Sequence, residues 1–284
     1  MDRALPAQSR SAPTIVIDSN RSFGVVNLRE IWDYRELLYL LVWRQVIVKY
    51  KQTVVGIAWA VVQPLVSMIV MTLVFNGFLN VSSGEIPYPI FALSGLIFWR
   101  YFSSAVTVGG QSLVSNAQMI SKVYFPRIIV LIAGCLAPLV DFLIGFGVLL
   151  LALPLFGVVP SLRLVLAPVL LLATLATALS VTLWLSALHV RYRDIGSIIP
   201  FLIQIWMYLV PIMYPIERVS EAVRPIYSIN PMVGVVEGGR WVLLDQGTPP
   251  DLITMGIGLL TVFVLLTGGF FFFHRTERSF ADVV

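Results

Sequence analysis

Cysteine is nearly absent from this chain of 284 residues. The one thiol, Cys135, stands in an apolar run, so the chain builds neither a disulfide framework nor a thiolate metal site. Histidine is almost as scarce. His189 and His274 both sit beside charged clusters at the ends of apolar runs, where they read as interfacial side chains. Charge is thin as well: 12% of residues are Asp, Glu, Lys or Arg, against about 25% in soluble domains. Hydrophobic residues make up 58% and the mean hydropathy is +0.90. That combination excludes a water-soluble domain and marks an integral membrane protein. No G-x-x-x-x-G-K-[ST] stretch occurs, so the chain does not carry a P-loop nucleotide site. H-E-x-x-H, G-x-S-x-G and Asp-rich metal motifs are missing too. Membrane enzymes acting on lipid-linked sugars usually need paired carboxylates or a metal. An ion-coupled carrier places several ionisable groups at mid-membrane. Here the apolar spans hold one acid, Asp141, and one base, Arg100.

What is present is a series of long apolar runs. Crossing about 30 Å of hydrocarbon takes about 20 apolar residues in a helix. Such runs fall near 55–79, 89–110, 127–153, 164–188, 197–215 and 252–273. They predict an all-α membrane protein with six transmembrane helices and both termini on one side. Residues 1–27, with Pro, Ser and scattered charge but no apolar core, read as a cytosolic tail and not as a signal peptide. Residues 276–284 form a second cytosolic tail, and 52–275 the transmembrane domain. Basic residues set the orientation. Placing the tails and the 111–127 and 189–196 loops in the cytosol gives fourteen Lys and Arg inside against four outside (Arg163, Arg218, Arg224, Arg240). The net charge of +4 therefore reports topology and not nucleic-acid binding.

Two segments are apolar without being long enough, or clean enough, to span. "LREIWDYRELLYLLVWRQVIVKYK", 28–51, mixes Leu, Ile and Trp with Arg35, Arg44, Lys49 and Lys51. It reads as an amphipathic helix on the cytosolic interface or as an ordinary basic juxtamembrane anchor. "NPMVGVVEGGRWVLL", from Asn230, opens with a good N-cap and with Pro231 at the first helical position. About 14 residues of helix cannot cross a bilayer, so this piece lies in the external interface or re-enters the membrane between spans five and six. Arg100 and Asp141 either pair with each other or face a wet path, since a central charge costs roughly 2.5–3.5 kcal/mol on insertion scales. Rings crowd the span ends: Trp59, Phe75, Phe98, Trp99, Tyr101, Phe102, Trp206, Tyr208 and Tyr214. Interfacial belts are the ordinary reading. Stacking against the apolar faces of sugars is the other.

Five blocks in order resemble a known family: "KYKQTVVGIAWAVVQPL" (49–65), "ALSGLIFWRYFSSAV" (92–106), "SLVSNAQMISKVYFPR" (112–127), "HVRYRDIGSIIPFLIQIWMYLVPIMYP" (189–215) and "INPMVGVVEGGRW" (229–241). They resemble ABC-2-type polysaccharide export permeases, the transmembrane subunits that export O-antigen, capsule or teichoic-acid polymers. The likeness runs from about residue 28 to 275. It departs at His189, where Asn is commoner, at "ERVSEAVRPIY", and at Gly239, where Phe is common.

The resemblance implies a homodimer in the inner membrane, bound to two copies of a separate ATPase that carries the ATP and Mg. No cofactor is expected in this chain, and no enzymatic activity. The substrate it implies is a polysaccharide on an undecaprenyl-diphosphate carrier. Energy from a partner needs a handle in the cytosol, and the segment Asn116, Ala117, Gln118, Met119, Ile120, Ser121, Lys122, Val123 and Tyr124 is the expected coupling helix. Ser115 or Asn116 would cap it, and Ala117–Val123 would form it. A weaker contact is expected at Arg191, Arg193 and Asp194. Arg44, Lys49 and Lys51 would receive the lipid diphosphate at the foot of the first span. Polymer contact would fall to Trp59, Phe98, Trp99, Arg100, Tyr101, Trp206 and Tyr208. The alternatives are an ABC-2 exporter of another polymer or a small molecule, and an ATP-independent flippase or membrane enzyme.

Overall fold

The computed structural model describes residues 28–51, 56–160, 162–244 and 249–277. The tails expected at 1–27 and beyond 277 lie outside the described residues. Among the described residues the secondary structure is entirely helical. The elements are α1 (Leu28–Asp33), α2 (Arg35–Lys51), α3 (Ala58–Met71), α4 (Tyr88–Ser115), α5 (Ala117–Ile120), α6 (Ile128–Leu136), α7 (Leu139–Leu155), α8 (Ala167–Arg191), α9 (Ile195–Tyr208), α10 (Arg224–Ser228), α11 (Pro231–Leu244) and α12 (Leu252–Glu277).

Five helical stretches are long and apolar enough to cross a membrane: Ala58–Phe78, Tyr88–Ser115, Ile128–Leu155, Leu162–Arg191 and Leu252–Glu277. The first ends in a π-helical turn, Thr72–Phe78. The third is broken at Ala137–Pro138. Proline has no N–H to give the carbonyl one turn back, and the chain restarts there as α7, with Asp141 in its first turn. The fifth expected span, 197–215, is helical only over its first part. Helix α9 holds only 14 residues, about 21 Å at 1.5 Å per residue, and residues 209–215 are unwound.

Helix α4 is the axis of the molecule. It packs on α3, α6, α7, α8, α9 and α11, and Phe98, Phe102, Ala105 and Val106 along it are fully buried. Its crossing with α6 is close because both faces are glycine: a Cβ on Gly134 would sit 2.8 Å from the Cα of Gly109. Small residues let membrane helices approach to backbone contact. Helix α12 packs on α8, where Trp184 stacks on Phe272 at 5.0 Å between centroids.

The 28–51 segment is one helix interrupted at Tyr34. Helix α2 does not merely float on a surface. Leu41, with Tyr34, Leu37, Leu38 and Val42 beside it, packs against Phe125, Ile129, Val130 and Ala133 at the start of α6. Its other side presents Tyr39, Leu40 and Trp43 outward. Apolar side chains thus lie on both the docked and the exposed side, and the helix lacks the clean polar face the amphipathic expectation called for.

Candidate functional site

One end of the molecule gathers α2, α5, the 189–196 turn and the end of α12. Helix α4 runs unbroken to Ser115, five residues past its expected end. Asn116 then interrupts it, and α5 follows at once. The expected forward cap is absent. The Asn116 amide instead donates back to the Ser112 carbonyl at 2.8 Å, and its oxygen accepts from Arg44 of α2 at 3.0 Å. Helix α5 therefore stops at Ile120 instead of reaching Val123. Gln118, Ser121, Lys122, Val123 and Tyr124 are exposed, Ala117, Met119 and Ile120 half-buried. The second turn is tied to the same root. Gln111 donates to the Gly196 carbonyl at 3.1 Å, and His189 lies 3.2 Å from the Gly110 carbonyl. His189 is thus buried, not interfacial, and a Cβ on Gly196 would meet its ring at 2.6 Å. Arg191, Arg193 and Asp194 stay exposed beside it. Arg127 donates to the Glu277 carbonyl, bringing the end of α12 to this face.

A cleft of about 320 Å³ opens between α2, α4 and the break in the third span. Arg44, Lys49, Tyr50, Asn116 and Asp141 line it. A second cleft of about 130 Å³ continues from Lys49 and Asp141 to Gln63 and Arg100. Arg100 lies 15 residues before Ser115 on α4, so the polar path climbs about 22 Å from the α5 end. Lys49 and Asp141 form an ion pair at 2.7 Å, and the Tyr50 hydroxyl donates to the other carboxylate oxygen, also at 2.7 Å. Burial, then the Asp141 hydrogen bond and charge, push the Tyr50 phenol above its ordinary range, so it remains a donor. Arg100 donates to the Gln63 amide oxygen. The Arg100–Asp141 pair offered as one alternative is therefore replaced by two separate partnerships. Of the three expected phosphate cations, Arg44 and Lys49 already hold partners across the cleft, and Lys51 is exposed. Tyr50 and Gln63 were passed over in the sequence. A lone amide in the apolar run 58–71 was the available signal for Gln63.

The expected polymer-facing rings divide in two. Phe98, Trp99 and Tyr101 are buried core, and of the three only Tyr101 borders a described cleft, the smaller one beside Gln63 and Arg100. Phe98 and Tyr101 pack on Phe142 at 5.5 and 5.6 Å, Trp99 packs on Phe102 at 5.3 Å, and the Tyr101 hydroxyl donates to the Cys135 carbonyl. Four rings in five residues spread around a helix, and at this level α4 is enclosed. Trp59 and Tyr208 are exposed, while Trp206 is half-buried, edge-on to Phe102 at 5.1 Å.

The opposite end shows how the short α9 is made good. The carbonyls of 208–213 take side-chain donors from four places: Tyr208 from Tyr214, Leu209 from Asn230, Ile212 from Arg240 and Met213 from Tyr88. Asn230 also caps α11 as its sequence position promised, accepting from the Met232 amide at 3.2 Å. Arg240 is buried over the Phe91 ring at 3.6 Å and paired with Glu237 at 2.7 Å. The three-residue Glu–Arg spacing was legible in the sequence, its burial was not.

Residues 36–244 match the family described as ABC-2 type transporter. The chain belongs to the ABC-2 type transporter family. It is similar to the O-antigen export system permease protein RfbA of Myxococcus xanthus, 28% identical over 260 residues that cover 90% of this chain and 98% of that protein. A Klebsiella pneumoniae protein of the same description is 26% identical over 91% of this chain and 97% of its own length. The polysialic acid transport protein KpsM of Escherichia coli is 23% identical over 82% of this chain and 88% of that protein.

Proposed function

We propose that this chain is the membrane permease subunit of an ATP-driven exporter of O-antigen polysaccharide carried on undecaprenyl diphosphate. It works as a homodimer in the bacterial inner membrane with two copies of an ABC ATPase. Both termini face the cytosol, and α9 with the unwound 209–215 forms the remaining crossing. The observation that carries the reading is the near full-length match to two O-antigen export permeases. The geometry of the α4–α5 junction supports it. A rigid helix of 28 residues ends directly in a small exposed tip, so a push at the tip moves the core and not a slack loop. Val123 and Tyr124 are 57% and 74% exposed there, an apolar pair at a polar face, as a docking contact requires. The weaker second contact at Arg191, Arg193 and Asp194 hangs from the same root through Gln111. Arg44, Lys49 and Lys51 take the diphosphate head, and Trp59 and Tyr208 are the rings with an open face for the polymer.

The double variant V123D/Y124D is expected to weaken ATPase binding at least tenfold while the permease still purifies as the parent does. Polymer export by proteoliposomes of the assembled complex falls accordingly. Normal export by that variant would overturn the coupling role. A polysialic acid-like polymer remains a second reading because KpsM also aligns over most of the chain. Stimulation of ATP hydrolysis by one lipid-linked polymer and not the other decides between them.

A further inference from the structure

The Lys49–Tyr50–Asp141 contact has the form of a filled anion site. Two donors from the end of α2 converge on one carboxylate, one donor per oxygen, each at 2.7 Å. Two oxygens of a phosphate present the same pair of acceptors. The carboxylate belongs to a different element, the first turn of α7 just past the break at Pro138. The contact is not sealed: the Lys49 side chain is 52% exposed and the Asp141 side chain 27% exposed, and both line the cleft that Arg44 shares. Arg100 lines the adjoining cleft together with Asp141.

We infer that Asp141 is the resident occupant of the lipid-diphosphate site, held by Lys49 and Tyr50 until a phosphate displaces it. The inference rests on the reading of Lys49 as a diphosphate ligand and adds two residues to it. Tyr50 becomes a substrate-binding donor. Asp141 becomes a positioning residue that keeps the two donors converged and sets the concentration at which substrate takes them. The displaced carboxylate turns toward Arg100, the other cation on its cleft. No bond is made or broken covalently; two hydrogen bonds change acceptor. The physical effect follows from competition within one molecule. A ligand that binds only the fraction of sites left open has its apparent affinity reduced by that fraction. Losing Lys49 and Tyr50 also frees α7 from the end of α2, so the same exchange loosens the interface helix from the third span.

The test uses the permease–ATPase complex in nanodiscs, with undecaprenyl diphosphate as the probe and its half-stimulating concentration for ATP hydrolysis as the readout. Asp141→Asn keeps the shape and removes the charge. It is expected to lower the half-stimulating concentration by roughly threefold to tenfold, as competition for an occupied site requires. Lys49→Gln is expected to raise it. Adding Asp141→Asn to the pair Lys49→Gln/Tyr50→Phe is expected to change nothing further, because a competitor has no effect once both its donors are gone. An unchanged or raised value for Asp141→Asn, with Lys49→Gln still impaired, overturns the inference and leaves the intake reading standing. Unchanged stimulation in Lys49→Gln removes both. A drop that persists when both donors are gone also overturns it, since Asp141 would then act by bulk charge. Nanodiscs of phosphatidylglycerol without the diphosphate carrier are expected to give no stimulation of Asp141→Asn; stimulation there assigns the site to ordinary headgroups and overturns the inference. If Asp141→Asn does not assemble with the ATPase, Asp141→Ser carries the same readout.

Discussion

Asn116 joins three things that would otherwise move apart. Its amide closes the end of α4, its oxygen takes Arg44 from α2, and its carbonyl accepts from the Met119 and Ile120 amides of α5. Asn116→Ala removes three side-chain bonds, among them the tie to Arg44 of α2, a loss of about 1–3 kcal/mol. The expected phenotype is uncoupling: more ATP hydrolysed per polymer exported, with faster amide exchange confined to 34–45 and 115–124. Gly239 is the other single residue on which much rests. A Cβ there would lie 2.7 Å from the Phe98 ring. That ring is fully buried against Phe142 and has no room to give. Gly239→Ala is therefore expected to cost about 1–3 kcal/mol by overpacking, measured as a lower thermal midpoint of the detergent-solubilised protein. The same contact gives a reason for glycine at this position.

Among elements, α9 and α11 depend on each other. A helix that ends early leaves carbonyls with no intrahelical partner, and such groups are costly away from water. Four side chains supply the missing donors, and Arg240 is the one buried charge among them. It also carries the charge that Glu237 requires. Arg240→Met keeps the apolar stem but strands both Glu237 and the Ile212 carbonyl, so a loss of about 3–5 kcal/mol is expected. Adding Glu237→Gln is expected to recover part of it. Thermal unfolding of the three proteins checks the order. Helix α2 shows the converse case, an element whose apolar docking is a short cluster on α6 and whose polar ties, Arg44, Lys49 and Tyr50, all cross the clefts.

The whole molecule places its basic turns, α5 and the end of α12 at one end, and α10–α11 with the segments 156–160 and 162–166 at the other. Cys135 is fully buried and serves as a silent background thiol. Single cysteines at Val123 and at Val159, both exposed, are expected to react oppositely with an impermeant maleimide. Val123→Cys labels only in inverted vesicles, and Val159→Cys labels in intact spheroplasts. The reverse pattern would invert the proposed topology.

Hydropathy over windows of about 20 residues set the class and the positions of five of the six expected spans. Each of those depends only on how much apolar surface a stretch presents to lipid. The cap at Asn230 and the start of α11 were equally local, written in one Asn–Pro pair. The ABC-2 likeness, too, was legible in five short blocks. What the tertiary structure alone decided were the partners. Asn116 looked like the start of a helix and is also the end of one, its side chain turned back to Ser112 and to Arg44, which arrives from 72 residues away. Arg100 and Asp141 looked like each other's counter-ions, yet Gln63 and Lys49 with Tyr50 reach them first. The rings of α4 looked available to a polymer and are core, because α4 is surrounded. A side chain's type and spacing state what it needs in lipid. Which neighbour meets that need depends on which helices are packed together, and no local window of sequence contains that.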